Sequence, residues 1–180
     1  MDKVIEVLIS EKEIAERIVE LGQEITRDYE GKEVVFVCVM TGAMFFFTEL
    51  AKRVQLPMEV DFIKVSSYGE SEVSSGNVIL ERDITTDVKG KDVVVVEDIV
   101  DSGNTIEFLK SHIGQKGAAS VKVCTMLDKP SRRIKPVEAD YVGRSIPDVF
   151  VIGYGLDATP PGTNKKLYRN LPNIGHIVKK

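Results

Sequence analysis

A chain of 180 residues with 43% apolar composition is long enough to bury one core of ordinary domain size, so a single domain over residues 1–180 is expected. Its 24 Lys and Arg against 28 Asp and Glu give a formal charge of -4. That balance argues against a nucleic-acid partner, which needs clustered excess positive charge. The stretch from Met1 to Ser10 has neither the apolar core of a signal peptide nor the length of a spanning segment, so no membrane association is expected and the cytoplasm is the expected compartment.

Ser10-Glu11-Lys12-Glu13 has the form of a capping box, and Ile14, Ile18, Leu21 and Ile25 follow at helical spacing, which predicts a helix over about 11–29. Gly31-Lys32 ends it. Val34 to Met40 is a continuous apolar run of strand length, as in a strand covered on both faces. After Thr41-Gly42, Ala43 to Val54 reads as helix and Met58 to Val65 as an alternating strand. Ser66 to Asp87 is polar, and within it only Val78-Ile79-Leu80 is apolar enough to pair as a ribbon. A loop this long inside a compact domain is expected to be a functional lid.

Further strands are expected over Asp92–Glu97, Ser120–Leu127, Asp140–Gly143 and Val149–Tyr154, with a helix over Asn104–Lys116. Alternating strands and helices predict an α/β fold with a mostly parallel, twisted sheet flanked by helices. Cys38 and Cys124 lie inside apolar strand-like runs and read as small buried hydrophobes, not a disulfide. His112 and His176 lack a second ligand at metal spacing, which speaks against structural zinc.

In Val93-Val94-Val95-Val96-Glu97-Asp98-Ile99-Val100-Asp101-Ser102-Gly103-Asn104-Thr105, a buried strand delivers two adjacent acids to a sheet edge. Asp101 to Thr105 then presents a glycine, two hydroxyls and successive backbone N–H groups at a helix start, a ready site for phosphate. Adjacent carboxylates repel unless something binds against them, and a sugar diol or a magnesium-bound sugar can. Sugar diol beside phosphate describes ribose 5-phosphate. The plain alternative is strand-end charges with Asp101 or Ser102 capping the helix. No G-x-x-x-x-G-K-[ST] occurs, which excludes a Walker loop. Gly153 to Ala158 matches G-x-G-x-x-A, but Thr159-Pro160-Pro161-Gly162 cannot open the helix a dinucleotide site requires.

The thirteen-residue string resembles the phosphoribosyl-pyrophosphate signature of type I phosphoribosyltransferases. Ser66-Ser67-Tyr68-Gly69, Leu127 to Arg133 and Ile146 to Asp157 further resemble the bacterial hypoxanthine-guanine members of that family. The resemblance implies a hood built from the chain ends beside a long flexible loop, and transfer of phosphoribosyl from phosphoribosyl pyrophosphate to hypoxanthine or guanine with Mg²⁺. It also implies a homodimer or homotetramer. A xanthine-preferring enzyme, a non-catalytic sensor of phosphoribosyl pyrophosphate on the same fold, and a phospho-receiver are the competing readings.

The resemblance makes Asp101 the general base at the purine N7 and puts Glu97, Asp98, Ser102, Gly103, Asn104 and Thr105 around the ribose phosphate. It puts Lys129 on the purine O6, where an ammonium selects a 6-oxo ring over a 6-amino ring. Phe150 would stack on the base and Val151 line the pocket through its backbone. Thr41-Gly42 would form the pyrophosphate loop, with a non-proline cis bond there, and Ser67-Tyr68 would close over it. Arg169 would bind pyrophosphate, and Asp157, with Glu97 and Asp98, would serve Mg²⁺. The family often carries Lys or Arg where Thr41 stands, and Ala158 to Lys166 looks like an insertion whose Lys165 and Lys166 offer alternative anion contacts.

Overall fold

Runs of β-branched residues bounded by Gly and Pro form the strands of the computed structural model, which describes residues 3–67, 78–160 and 163–179. In chain order the elements are β1 (Lys3–Ile9), α1 (Glu11–Asp28), β2 (Val34–Met40), α2 (Met44–Ala51), β3 (Met58–Ser67) and β4 (Val78–Arg82). There follow β5 (Asp92–Val100), α3 (Asn104–Gln115), β6 (Ser120–Asp128), a 3-10 turn (Pro130–Arg132), β7 (Tyr141–Ser145) and β8 (Ile174–Lys179).

Six strands make one sheet in the order β4-β3-β2-β5-β6-β7. All pairings are parallel except that of edge strand β4, which runs antiparallel to β3. Successive side chains of a strand point to opposite faces, so β2 sends Phe36 and Cys38 into one core and Val35, Val37 and Val39 into the other. α1 and α2 cover the first core and α3 the second through Ile106, Leu109 and Ile113. Leu21, Phe36, Phe46 and Leu109 are fully enclosed, each such side chain contributing roughly 1.5–3 kcal/mol by leaving water. Both cysteines are free and buried, as their apolar setting implied.

The Ser10 capping box forms: the Ser10 side chain accepts from the Glu13 N–H at 3.3 Å and the Glu13 carboxylate accepts from the Ser10 N–H at 2.9 Å. Arg17 ties α1 to β7, its Nε and Nη2 donating to the Val142 and Gly143 carbonyls while Nη1 meets Glu20 and Glu24. Asp61 on β3 is 3% exposed and accepts the backbone N–H groups of Phe62, Thr85 and Thr86 at 2.6–2.7 Å. Burial raises its pKa, but these three donors outweigh burial and hold the carboxyl below the usual aspartate range.

The chain ends pair as a separate antiparallel ribbon of β1 and β8, the hood expected from the resemblance. Residues Val149–Tyr154 are not the strand that their apolar pattern predicts. They keep only a bridge from Ile152 to Gly175 and a turn from Gly153 to Leu156, because Gly153, Tyr154 and Gly155 all take positive φ, which no strand accommodates. The apolar signal there marks the burial of Val151, Ile152 and Tyr154, with Ile152 bridging to Gly175 of the ribbon. α2 is shorter than the expected 43–54, since the chain turns back on the Leu50 carbonyl through Arg53 and Val54. Val78–Leu80 does pair, as part of β4.

Candidate active site

β5 runs to Val100, beyond the expected end at Glu97, so Asp98 as well as Glu97 stands on the strand itself. Glu97 is 6% exposed and Asp98 half-buried. Burial first, and then the Asp98 charge, pushes the Glu97 carboxyl well above its usual range. Burial also raises Asp98, against hydrogen bonding from Glu97, the Ile99 N–H at 2.6 Å and the charge of Arg169. The pair thus reaches the sheet edge without cations of its own sufficient to neutralise it.

Thr41-Gly42 ends β2 beside that pair, and the Met40–Thr41 peptide is cis. Gly155, at positive φ, leaves no room for a side chain, since its Cβ would lie 1.9 Å from the Gly42 carbonyl, and a Cβ on Gly42 would lie 1.6 Å from Asp98 Oδ2 and displace that carboxylate. Asp157, at the end of that third segment, pairs with Arg169 Nη2 at 2.5 Å, and Arg169 also donates to the Gly155 carbonyl. Opposite them, Gly103 at φ 89° precedes the first turn of α3. The Gly103 carbonyl takes the Glu107 N–H at 2.9 Å, and a helix start of this kind leaves its first amides without partners inside the helix.

These segments enclose a cleft of about 580 Å³ lined by Thr41, Gly42, Glu97, Asp98, Asp101–Gly103, Thr105, Asp157 and Arg169. Lys64, Glu81 and Lys166 line it too, Lys64 and Glu81 paired at 2.6 Å. Lys64 carries no signal in the sequence, being one lysine in an alternating strand. Lys165 is not among the lining residues.

Past Asp101 lies a second surface. Lys129 is 7% exposed and its one ion-pair partner among the described residues is Asp148, 3.9 Å away. That is not the solvated lysine its charge would suggest. Phe150 is 65% exposed, although an aromatic in an apolar run is more often core, and Val151 beside it is buried. Arg132 donates to Asp101 Oδ1 at 3.0 Å and approaches Asp148 at 3.6 Å. The sequence reading gave roles to neither Arg132 nor Asp148, although both stand in the quoted segments.

Of the expected site residues, Thr41, Gly42, Glu97, Asp98, Asp101, Ser102, Gly103, Thr105, Asp157 and Arg169 meet in the cleft, whereas Asn104, buried at the start of α3, is not among the lining residues; Lys129 and Phe150 lie beyond Asp101, with Val151 buried next to Phe150. Ser67 contributes backbone to β3. Its side chain and all of Tyr68 lie outside the described residues, as do residues 69–77 of the expected lid. Among the described residues no three His, Cys, Asp or Glu side chains gather as a metal cage. Oxygen donors that are raised by burial and lack a full cage fit Mg²⁺ arriving with a phosphorylated substrate, since that ion keeps waters and takes only one or two carboxylates.

A mostly parallel sheet whose C-terminal edge offers an acid pair and a glycine turn into a helix start has the form of a type I phosphoribosyltransferase. The comparisons agree: residues 8–159 match the phosphoribosyl transferase domain family. A hypoxanthine phosphoribosyltransferase of Salmonella typhimurium is 44% identical over 180 residues, covering 99% of this chain and 98% of that protein. A solved hypoxanthine-guanine phosphoribosyltransferase of Bacillus anthracis superposes with TM-score 0.88 at 41% identity, over 99% of this chain and 100% of that one. The chain belongs to the bacterial hypoxanthine-guanine phosphoribosyltransferase family. It also matches the bifunctional TilS/HprT protein of Listeria monocytogenes, at 50% identity over 169 residues, and there spans about a quarter of the relative's length.

Proposed function

We propose that this chain serves purine salvage, transferring 5-phosphoribosyl from phosphoribosyl pyrophosphate to N9 of hypoxanthine or guanine with release of pyrophosphate. One observation carries the choice of 6-oxo purine: a buried lysine, Lys129, whose ion-pair partner Asp148 is two positions before the exposed ring of Phe150. A ring stacked on Phe150 gains dispersion and apolar contact. Its O6 gives Lys129 the acceptor that the distant Asp148 does not, whereas a 6-amino group offers none.

On this reading the amides and hydroxyls of Ser102, Gly103, Asn104 and Thr105 take the 5′-phosphate. Glu97 and Asp98 take the ribose hydroxyls, and Thr41, Gly42 and Arg169 the pyrophosphate. N9 then bonds to C1′ as the bond from C1′ to the pyrophosphate oxygen breaks. Asp101 accepts the N7 proton and tempers the positive charge that builds on the ribose. Bound Mg²⁺ would neutralise pyrophosphate charge from Asp157 and the acid pair. Ser67 and Tyr68 are proposed to close over the pyrophosphate, keeping water from the oxocarbenium-like ribose. Lys166 lines the cleft and supplies a cation near the loop in which Thr41 carries none.

The proposal includes a single domain, a homodimer or homotetramer and the cytoplasm; no helix among the described residues is long and apolar enough to cross a membrane. The test is turnover with Mg²⁺, phosphoribosyl pyrophosphate and each of hypoxanthine, guanine, xanthine and adenine. Nucleotide from hypoxanthine or guanine and none from adenine is expected. No nucleotide from either of the first two overturns the reading, and xanthine as the sole substrate favours the xanthine-preferring alternative.

A further inference from the structure

The segment after β6 does more than carry Lys129. The Lys129 N–H donates to the Val100 carbonyl at 2.9 Å, and the Ile134 and Lys135 N–H groups both donate to the Ser102 carbonyl at 2.9 and 3.0 Å. Arg133 reaches the Asp101 carbonyl and the Asp128 carboxylate. These contacts fasten residues 129–135 to the phosphate loop. Pro130 opens the 3-10 turn with its φ already fixed, so the backbone from which Arg132 projects is held at both ends.

From that backbone Arg132 Nε donates to Asp101 Oδ1 at 3.0 Å. Its Nη1 lies 3.6 Å from Asp148 Oδ2, and Asp148 Oδ1 lies 3.9 Å from Lys129 Nζ. Charges therefore alternate along Asp101, Arg132, Asp148 and Lys129, from the phosphate loop to the purine ledge. Side chains of Asp101, Arg132 and Asp148 are 42%, 43% and 54% exposed, and pairs so open to water add little to stability. Orientation is a different matter, since a reacting group displaced by about 1 Å can lose up to ~10²-fold in rate.

We propose that Arg132 is a positioning residue for Asp101, holding one carboxylate oxygen so that the other faces the purine N7, with Asp148 holding Arg132 in turn. The inference rests on the reading of Asp101 as general base. The contact through Nε engages only Oδ1, and Oδ2 is left to receive the N7 proton as N9 bonds to C1′. A two-pronged guanidinium clamp would have occupied both oxygens.

Steady-state rates and equilibrium binding of phosphoribosyl pyrophosphate on the full chain test it. Arg132→Met should lower kcat roughly ten-fold, with phosphoribosyl pyrophosphate affinity and melting temperature unchanged. Arg132→Lys should recover most of the loss and Asp148→Asn should show a smaller one. In an Asp101→Asn background Arg132→Met should change kcat no further, because there is no proton acceptor left to orient. Parental kcat in Arg132→Met, or the same ten-fold loss in the Asp101→Asn background, overturns the proposal while leaving the transferase reading intact. Absence of nucleotide from the parent protein would overturn both.

Discussion

Asp61 and Glu97 are buried carboxylates of one sheet, with half-buried Asp98 next to Glu97, yet the acidity of Asp61 moves in the opposite direction to those of the pair. Asp61 is fully used by its own chain, with three backbone N–H groups on one side chain. Glu97 and Asp98 mainly face each other. The cations show the same contrast: Arg17 spends its guanidinium on two carbonyls and two carboxylates, whereas buried Lys129 has, among the described residues, one ion-pair partner at 3.9 Å. A buried ion that the fold satisfies is holding structure together. One that the fold leaves short of partners carries a cost that only a ligand removes, and such groups collect at functional sites.

The contrast can be broken by experiment. The largest expected effect is at the satisfied acid: Asp61→Ala strands three amides and should cost about 3 kcal/mol of unfolding free energy, read by denaturant melts. Because the folded pKa of Asp61 lies below the ordinary 3.8, its stabilisation is complete above that value and is lost as pH falls through the folded one. The gap between parent and variant should therefore narrow on acidification. A constant gap would mean that the charge is irrelevant.

Next comes Asp101→Asn, which should lower kcat by ~10²-fold or more with phosphoribosyl pyrophosphate binding largely intact. Equal turnover would reduce Asp101 to a helix cap. Lys129→Ala should raise the KM of the 6-oxo purines by a factor matching roughly 1.5–3 kcal/mol, without loss of stability, since the fold gives Lys129 little to lose.

The smallest effect has the opposite sign. Burial raises Glu97 above the ordinary 4.5, so the parent is favoured at low pH and loses stability as pH rises from 4.5 toward the folded value. Glu97→Gln cannot ionise and should stabilise the ligand-free protein by about 1 kcal/mol at neutral pH, while weakening phosphoribosyl pyrophosphate binding. A variant less stable than the parent across that range would place Glu97 with Asp61, among the structural acids.

The fold was legible where local pattern and burial agree. The capping box and the spacing of Ile14, Ile18, Leu21 and Ile25 define α1, and the unbroken apolar runs define β2 and β5, because a strand covered on both faces has no polar side to interrupt it. The same logic misreads Val149–Tyr154, where burial produces an apolar run without a ladder, and gives β1 and β8 no clear sign, since each is half of a ribbon whose other half is at the opposite end of the chain. For the site, the sequence by itself determined a contiguous string in which strand, acids, glycine and helix start follow one another, the segment proposed to hold the 5′-phosphate. Lys129, Phe150, Asp157 and Arg169 had to be carried over from family resemblance. Only the tertiary structure decided that Lys129 is buried, that Phe150 is exposed, that Gly42 lies against Asp98 and Gly155 against the Gly42 carbonyl, and that Arg132 reaches Asp101. Those facts depend on segments 30 or more positions apart meeting at one sheet edge, and no local pattern encodes which of two like charges finds a partner there.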